Sequence, residues 1–141
     1  MQVQMEDLRN DNLVADTLFG DGAAAVVVGS SPQRNERPFY EIVKTSCHSI
    51  PRTEDRITWS LSNTGWKVGL HQDIGFLLGQ HIRGFCEALC ENVYLDKNSK
   101  WAIHPGGKAI IELIEQKMAL GKEQTESTWK TYLQKGNMSS A

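Results

Sequence analysis

The sequence predicts a layered α/β fold, because short apolar runs alternate along the chain with segments of helical periodicity. Residues 23–28 form a continuous run of alanine and valine that ends at a glycine, which is typical of a strand buried on both faces. Residues 73–93 and 108–120 instead place apolar side chains three and four positions apart, which is typical of amphipathic helices. The alternation of these two patterns favours a sheet covered by helices.

The length and composition are those of an ordinary globular domain. The chain has 141 residues, of which 40% are hydrophobic and 23% are charged, so one domain with a real core is expected. A net charge of -2 does not favour nucleic acid or an anionic membrane surface as a partner. No apolar run reaches the roughly 20 residues that a membrane helix needs, so membrane insertion is not expected.

The cysteine content predicts a reducing, cytoplasmic location. The three cysteines, Cys47, Cys86 and Cys90, are odd in number and lack the spacing of a disulfide framework or of a metal site. Cys86 and Cys90 lie four positions apart on a predicted helix and therefore share one face. The simplest interpretation is that they are small apolar side chains in the core, and no metal ion is expected.

Further strands are predicted between the polar loops. Residues 39–46 alternate between apolar and polar positions, as a strand does. Residues 57–61 and 66–70 flank the turn Ser-Asn-Thr-Gly at 62–65, which indicates a hairpin. Residues 100–103 form a short apolar run that predicts a buried strand.

The helices carry recognisable end signals. Asp73 is expected to be the N-cap of the first long helix, and Gly121 is expected to end the second. Glu112 and Glu115 on the second helix are expected to be solvated rather than to form an acid–base pair. Residues 124–134 predict a further helix with an aromatic apolar face.

His104 is the first candidate for chemistry. It follows the predicted strand at 100–103 and precedes a Pro-Gly-Gly turn at 105–107, where glycines leave room for a ligand. The helix that begins after this turn presents free backbone N–H groups to it. The local pattern fits a catalytic histidine, but a histidine satisfied by hydrogen bonds in a tight turn is the commoner interpretation of such a pattern.

Asn137 is the second candidate. It lies in the run Gly-Asn-Met-Ser-Ser at 136–140, which taken alone is typical of a helix end followed by a turn. A histidine ring and an asparagine amide directed at one point, however, make a donor pair that can stabilise negative charge on a thioester oxygen. Local sequence alone, however, favours the turn as the interpretation of Asn137.

Three motifs, taken in order, resemble one family. They are Leu-Phe-Gly-Asp-Gly-Ala-Ala-Ala at 18–25, Ile-His-Pro-Gly-Gly at 103–107 and Gly-Asn-Met-Ser-Ser-Ala at 136–141. Together they resemble the C-terminal half of the type III polyketide synthases, the chalcone and stilbene synthase-like family. The resemblance implies a thiolase-like α/β fold over residues 13–141 that lacks the final strands and helix, with residues 1–12 joining it to an N-terminal half.

The resemblance implies a catalytic set of Cys, His and Asn. His104 and Asn137 match the histidine and the asparagine of the family, whereas its nucleophilic cysteine belongs to a segment upstream of Met1. None of the three cysteines present matches that nucleophile, so the chain alone is expected to be inactive.

The chemistry implied by the resemblance starts from CoA thioesters. The family loads an acyl group from acyl-CoA onto the cysteine, decarboxylates malonyl-CoA to an enolate, joins the two by Claisen condensation and cyclises the product. It is an acyltransferase that needs no metal or prosthetic group, and the full-length protein is expected to be a homodimer.

The resemblance also identifies residues that bind substrate. Phe19 matches a phenylalanine that gates the passage between the CoA tunnel and the cavity, and Ser139 matches a residue that lines the cavity. Gly106 and Gly107 form the turn beside the catalytic histidine and are expected to contact substrate as well.

Departures from the family pattern predict a reshaped cavity. Val68 stands where the related enzymes carry a second gating phenylalanine, and Trp59 stands where they carry a glycine of the cavity wall. Valine in place of phenylalanine opens space in the cavity, and tryptophan in place of glycine fills it. Lys108 also replaces a residue that is commonly proline. These changes favour a pyrone or resorcinol product from a fatty acyl starter over a chalcone.

Two alternative functions remain open at this stage. A ketoacyl synthase that uses acyl-carrier protein has the same fold, but that class usually carries His-Gln-Ala-Asn where this chain has His-Pro-Gly-Gly at 104–107. A non-catalytic acyl-binding or dimerisation fragment is favoured by the missing cysteine.

Overall fold

The computed structural model describes residues 10–63 and 65–140, with side chains from residue 13 onward. Most of the predicted joining segment, together with Thr64 and Ala141, lies outside the described residues. Within the described ranges the elements are, in chain order, α1 (Asn10–Leu18), β1 (Ile57–Ser62), β2 (Gly65–Leu70), α2 (Ile74–Leu89), α3 (Lys108–Met118) and α4 (Glu126–Lys135).

The hairpin predicted from the turn sequence is confirmed. Strands β1 and β2 pair antiparallel, with Ile57 opposite Leu70 at one end and Ser62 opposite Gly65 at the other. The Ser62 hydroxyl donates a hydrogen bond to the Gly65 carbonyl across the turn, at 2.8 Å. The bond closes the hairpin at the position where the sequence changes from strand residues to turn residues.

Helix α1 packs on strand β2, where Val68 and Ala15 form a small buried cluster. The sequence did not predict this helix, and two of its large apolar side chains, Leu13 and Val14, are exposed. Phe19, directly after the helix, packs against the same cluster. The hairpin is therefore tied to the segment that leads out of α1.

Helix α2 begins after Asp73, as predicted, but ends at Leu89 rather than at residue 93. The Asp73 carboxylate does not cap the helix and instead contacts the Arg56 guanidinium at 2.9 Å and the His71 ring at 2.5 Å. With 16 residues, α2 is the longest described helix, and no helix in the described ranges is long and apolar enough to cross a membrane.

Helices α3 and α4 are joined by a buried carboxylate. Glu115 is only 8% exposed and accepts hydrogen bonds from Lys122 Nζ at 2.7 Å, Thr125 Oγ1 at 2.5 Å and Trp129 Nε1 at 2.6 Å. Burial raises the pKa of Glu115, but these donors outweigh burial and leave the pKa below its ordinary value. The expectation that Glu115 is solvated was wrong, whereas Glu112 is exposed as expected.

Three predicted strands do not form. Residues 23–28 and 39–46 lie in exposed coil, and residues 100–103 also lack a strand ladder. A strand is stable only when a neighbouring strand pairs with its backbone, and no such neighbour is found among residues 10–63 and 65–140. The apolar runs therefore have no strand ladder within the described residues.

We expect Glu115→Gln to lower the free energy of unfolding by about 1 to 3 kcal/mol, because a neutral amide removes the charge that faces Lys122 and cannot accept three donors equally well. A pKa lowered by folding means that the stabilisation is present above the ordinary glutamate pKa and is lost as the pH falls through the lowered value. The difference between wild type and variant should therefore shrink in acid. Urea unfolding near neutral pH and in acid measures both effects.

The matched control is Glu112→Gln on the same helix. Glu112 is exposed and faces Lys108 across 3.7 Å, so its loss should change the free energy of unfolding by less than about 0.5 kcal/mol. Equal effects of the two variants would contradict the role assigned to Glu115.

Candidate functional site

One cavity of about 1230 Å³ lies between α1, the hairpin and the starts of α2 and α3. It is lined by the predicted catalytic pair and by five of the six predicted substrate-binding residues. These seven are Phe19, Trp59, His104, Gly106, Gly107, Asn137 and Ser139. The sixth, Val68, lies in the buried cluster under α1 and is not part of the lining found in the described ranges.

His104 projects into this cavity from a tight turn. The Gly106 N–H donates to the His104 carbonyl at 2.8 Å, and α3 begins at Lys108 directly afterwards. A Cβ atom at residue 106 would lie 3.3 Å from the Cδ2 atom of the His104 ring, which is closer than side chains normally approach. Glycine at this position therefore leaves the imidazole its place at the cavity wall.

Asn137 is buried, with 6% of its surface exposed, and its amide is held in one orientation. The side-chain Oδ1 accepts a hydrogen bond from the Ser139 backbone N–H at 2.9 Å. The Nδ2 group makes no hydrogen bond within the described part of the chain, so it remains available as a donor at the cavity. An oxygen fixed by the backbone and a free N–H₂ group suit an anion or a polarised carbonyl.

The backbone of Asn137 pairs with the segment that follows α1. The Asn137 N–H donates to the Leu18 carbonyl at 2.8 Å, and the Gly20 N–H donates to the Asn137 carbonyl at 2.9 Å. These two bonds form a parallel bridge between Phe19 and Asn137. The bridge brings the expected gate residue and a candidate catalytic residue to the same side of the cavity.

Two glycines permit this close approach. Gly136 has φ 70° and ψ -154°, a conformation that residues with a side chain rarely adopt, and a Cβ atom there would lie 2.6 Å from the Leu18 carbonyl oxygen. A Cβ atom at Gly20 would collide with the Lys135 carbonyl. The glycine before Asn137 is thus required by the bridge and does not merely end α4.

Three aromatic rings pack together beside the bridge, and two of them, Phe19 and Trp59, line the cavity. The Phe19 and Trp59 ring centroids are 5.6 Å apart in an edge-to-face arrangement, and Trp66 follows at 6.3 Å from Trp59. Trp59 lies directly opposite Val68 in the hairpin register. The Trp59 ring at the cavity is therefore paired across the hairpin with the small, buried side chain of Val68.

Two cationic side chains also line the cavity. The Arg56 Nε contacts Asp73 at 2.9 Å and its NH1 contacts Asp55 at 2.7 Å, so its charge is held by two carboxylates. Nothing in the local sequence singled out Arg56. Lys108 lies at the start of α3, and the only sequence signal for it was its departure from the proline common in the related enzymes.

None of the three cysteines, all of which lie in the described ranges, lines the cavity. Cys47 is exposed, Cys86 is buried in α2 and Cys90 is half-buried. Burial, together with the neighbouring Cys90 and Glu87, raises the pKa of the Cys86 thiol, which disfavours the reactive thiolate. None of them is placed to attack a group bound beside His104.

The fold and these residues agree with a known family. Residues 41–141 match the family described as chalcone and stilbene synthases, C-terminal domain. The chain belongs to this family. The "Probable polyketide synthase 1" of Dictyostelium discoideum is 36% identical over 138 residues, which cover 93% of this chain and 4% of that protein.

A solved structure gives the same result. The crystal structure of the C-terminal type III polyketide synthase domain of "Steely1", a type I/III hybrid from Dictyostelium, matches with a TM-score of 0.90 and 34% sequence identity. The match covers 98% of this chain and 40% of that one, so the chain spans less than half of the solved relative. The predicted family and the thiolase-like α/β fold class are confirmed.

We expect Gly136→Ala to destabilise the protein by about 1 to 3 kcal/mol, because the new Cβ atom meets the Leu18 carbonyl in an unfavourable backbone conformation. Amide exchange at Gly20 should quicken, since its acceptor is the Asn137 carbonyl. The urea midpoint and exchange at Gly20 measure the two effects.

Gly84→Ala provides the control. Gly84 lies within α2, and a Cβ atom there meets nothing within 4 Å, so alanine should be neutral or should stabilise the helix by about 0.5 to 1 kcal/mol. Unchanged exchange at Gly20 in Gly136→Ala would show that the bridge does not depend on glycine.

Proposed function

We propose that His104 and Asn137 stabilise the enolate oxygen formed when malonyl-CoA loses carbon dioxide in a type III polyketide synthase reaction. The observation that carries this proposal is that both side chains line one cavity and that the Asn137 oxygen is already bound by Ser139. A histidine ring and an amide nitrogen can then both donate to the same oxygen.

The proposed reaction balances without a cofactor. An acyl group passes from CoA to a cysteine thiolate, and CoA leaves as the thiol. Decarboxylation of malonyl-CoA breaks the bond to the carboxylate, and its electron pair becomes the enolate that the two donors hold. The enolate carbon attacks the acyl thioester, the cysteine thiolate leaves, and the chain is longer by one ketide unit.

The nucleophile is proposed to come from outside these 141 residues. Support comes from the position of the three cysteines, none of which lines the cavity. Residues 13–141 then contribute the donor pair and part of the substrate wall, while a segment upstream of Met1 contributes the thiolate. We further propose that the full-length protein acts in the cytoplasm as a homodimer on free acyl-CoA and malonyl-CoA.

The proposed starter is a fatty acyl group, and the proposed product is a pyrone or a resorcinol. Trp59 fills space at the cavity next to Phe19, while Val68 opposite it is small and buried. The indole of Trp59 changes the shape of the wall relative to the chalcone pattern, whereas Val68 is buried under α1 and does not line the cavity. Aliphatic side chains that line the cavity, among them Leu70, Ile74 and Leu77, suit an alkyl chain.

A second candidate function is a non-catalytic acyl-binding fragment. The observation that favours it is the same absence of the three cysteines from the cavity lining. Sequencing the coding DNA on both sides of this chain separates the two: an upstream half with a cysteine on a strand-to-helix turn supports the synthase. A stop codon or an upstream half without that cysteine supports the binding fragment.

We expect His104→Gln and Asn137→Ala, each made in the full-length gene product, to lower malonyl-CoA decarboxylation by about 100- to 1,000-fold, because each removes one donor to the enolate oxygen. Release of carbon dioxide from labelled malonyl-CoA measures the rate. Gln116→Ala is the control, since this amide is exposed on α3 and lies away from the cavity. Decarboxylation that survives both site variants would overturn the proposal.

We expect the wild-type enzyme to use fatty acyl-CoA starters and Trp59→Ala to shift its preference toward bulkier ones, because the indole that fills the wall is removed. Competition within an acyl-CoA panel, with products identified by mass spectrometry, measures the preference. Trp66→Ala is the control, since it removes the same ring from the hairpin at a position outside the lining. Turnover with aromatic starters alone would contradict the proposed starter.

A further inference from the structure

The Thr128 hydroxyl binds the backbone that leads to His104 at two points. The Ile103 N–H donates to Thr128 Oγ1 at 2.9 Å, and the Thr128 hydroxyl donates to the Trp101 carbonyl at 3.2 Å. Thr128 is only 4% exposed, so neither bond is easily replaced by water. The residue therefore supplies both the acceptor and the donor that a neighbouring strand would otherwise offer to this segment.

A second contact strengthens the same attachment. The Trp101 N–H donates to the Gln124 carbonyl at 2.8 Å, just before α4 begins. The Gln124 side chain in turn donates to the Ser99 carbonyl at 3.2 Å. Residues 99–103 thus run along the beginning of α4 and are held there by main-chain and side-chain bonds.

The other end of the same helix carries the second catalytic candidate. Helix α4 ends at Lys135, Gly136 follows, and Asn137 is fixed to the segment after α1 by the bridge to Phe19. A helix is a stiff element, because each turn is hydrogen-bonded to the next. One rigid element therefore contacts the segment before His104 at its beginning and leads directly into the segment of Asn137 at its end.

We propose that Thr128 is a positioning residue that fixes His104 relative to Asn137 through the backbone of Ile103. The proposal rests on the proposed function, because it assigns to Thr128 the alignment of the two donors to the enolate oxygen. Thr128 contacts neither substrate nor cavity, and it acts only through the two backbone groups that it binds.

The hydroxyl, rather than the bulk of the side chain, carries this role. Valine has nearly the same shape as threonine but can neither donate nor accept, so Thr128→Val leaves the Ile103 N–H and the Trp101 carbonyl without their partner. The segment before His104 is then free to shift. Small displacements of a donor weaken transition-state stabilisation much more than they weaken thioester binding.

The test uses the full-length gene product with Thr128→Val, Thr128→Ala and Thr128→Ser. We expect the two variants without a hydroxyl to lower kcat for malonyl-CoA decarboxylation by about 10- to 100-fold. The KM should stay within about twofold of wild type, because the contacts that bind the thioester are unchanged. Thr128→Ser, which keeps the hydroxyl, should restore most of kcat.

Thr131→Val is the matched control on the same helix. Thr131 lies one turn further along α4, does not line the cavity, and its side chain makes no hydrogen bond within the described ranges. Amide exchange at Ile103 should quicken in Thr128→Val and stay unchanged in Thr131→Val. Exchange across the β1–β2 hairpin should be unchanged in both and reports that the fold is intact.

The outcomes separate the two proposals. Wild-type kcat in Thr128→Val, or an equal loss in Thr128→Ser or Thr131→Val, would overturn the positioning role while leaving His104 and Asn137 in place. A loss of kcat without faster exchange at Ile103 would also overturn it. If the wild-type protein does not decarboxylate malonyl-CoA, or if His104→Gln is fully active, the proposed function itself fails.

Discussion

The parallel bridge between Phe19 and Asn137 is the contact on which the arrangement of the site depends. It joins the segment after the first described helix to the segment after the last one, and both ends of the bridge line the cavity. Its two hydrogen bonds require glycine at positions 20 and 136, because a side chain at either would meet the opposite backbone. The structural role of the sequence around residue 137 therefore depends on the segment at 18–20, which is distant along the chain.

Buried polar side chains form hydrogen bonds that fix the positions of neighbouring segments, as strand pairing does in other α/β domains. The Glu115 carboxylate accepts three hydrogen bonds, two from the loop before α4 and one from α4 itself. The Thr128 hydroxyl binds the segment before His104. Such bonds are directional, so they fix one geometry where apolar packing tolerates several. The precise placement of the candidate catalytic histidine therefore follows from hydrogen bonding rather than from packing alone.

The sequence predicted those parts of the fold that are decided locally. The hairpin, α2, α3 and α4 appear close to their expected positions, because turn residues and apolar periodicity act within a few residues of each other. The strands at 23–28 and 39–46 were not found, since a strand depends on a neighbour that local pattern does not reveal. Glu115 was misjudged for the same reason: its partners lie seven to fourteen positions further along the chain. His104 and Asn137 were found through their motifs, whereas Arg56 carried no signal.

The bare backbone of residues 23–28 has a consequence for how the chain behaves in solution. Its valines are exposed, its N–H and C=O groups have no strand beside them in the described structure, and it carries no charge or proline that would blunt the edge. Such a segment is a template onto which any extended apolar chain can add. For residues 1–141 on their own, the association state then depends on protein concentration. Low concentration favours the monomer, and high concentration favours aggregates in which chains pair edge to edge.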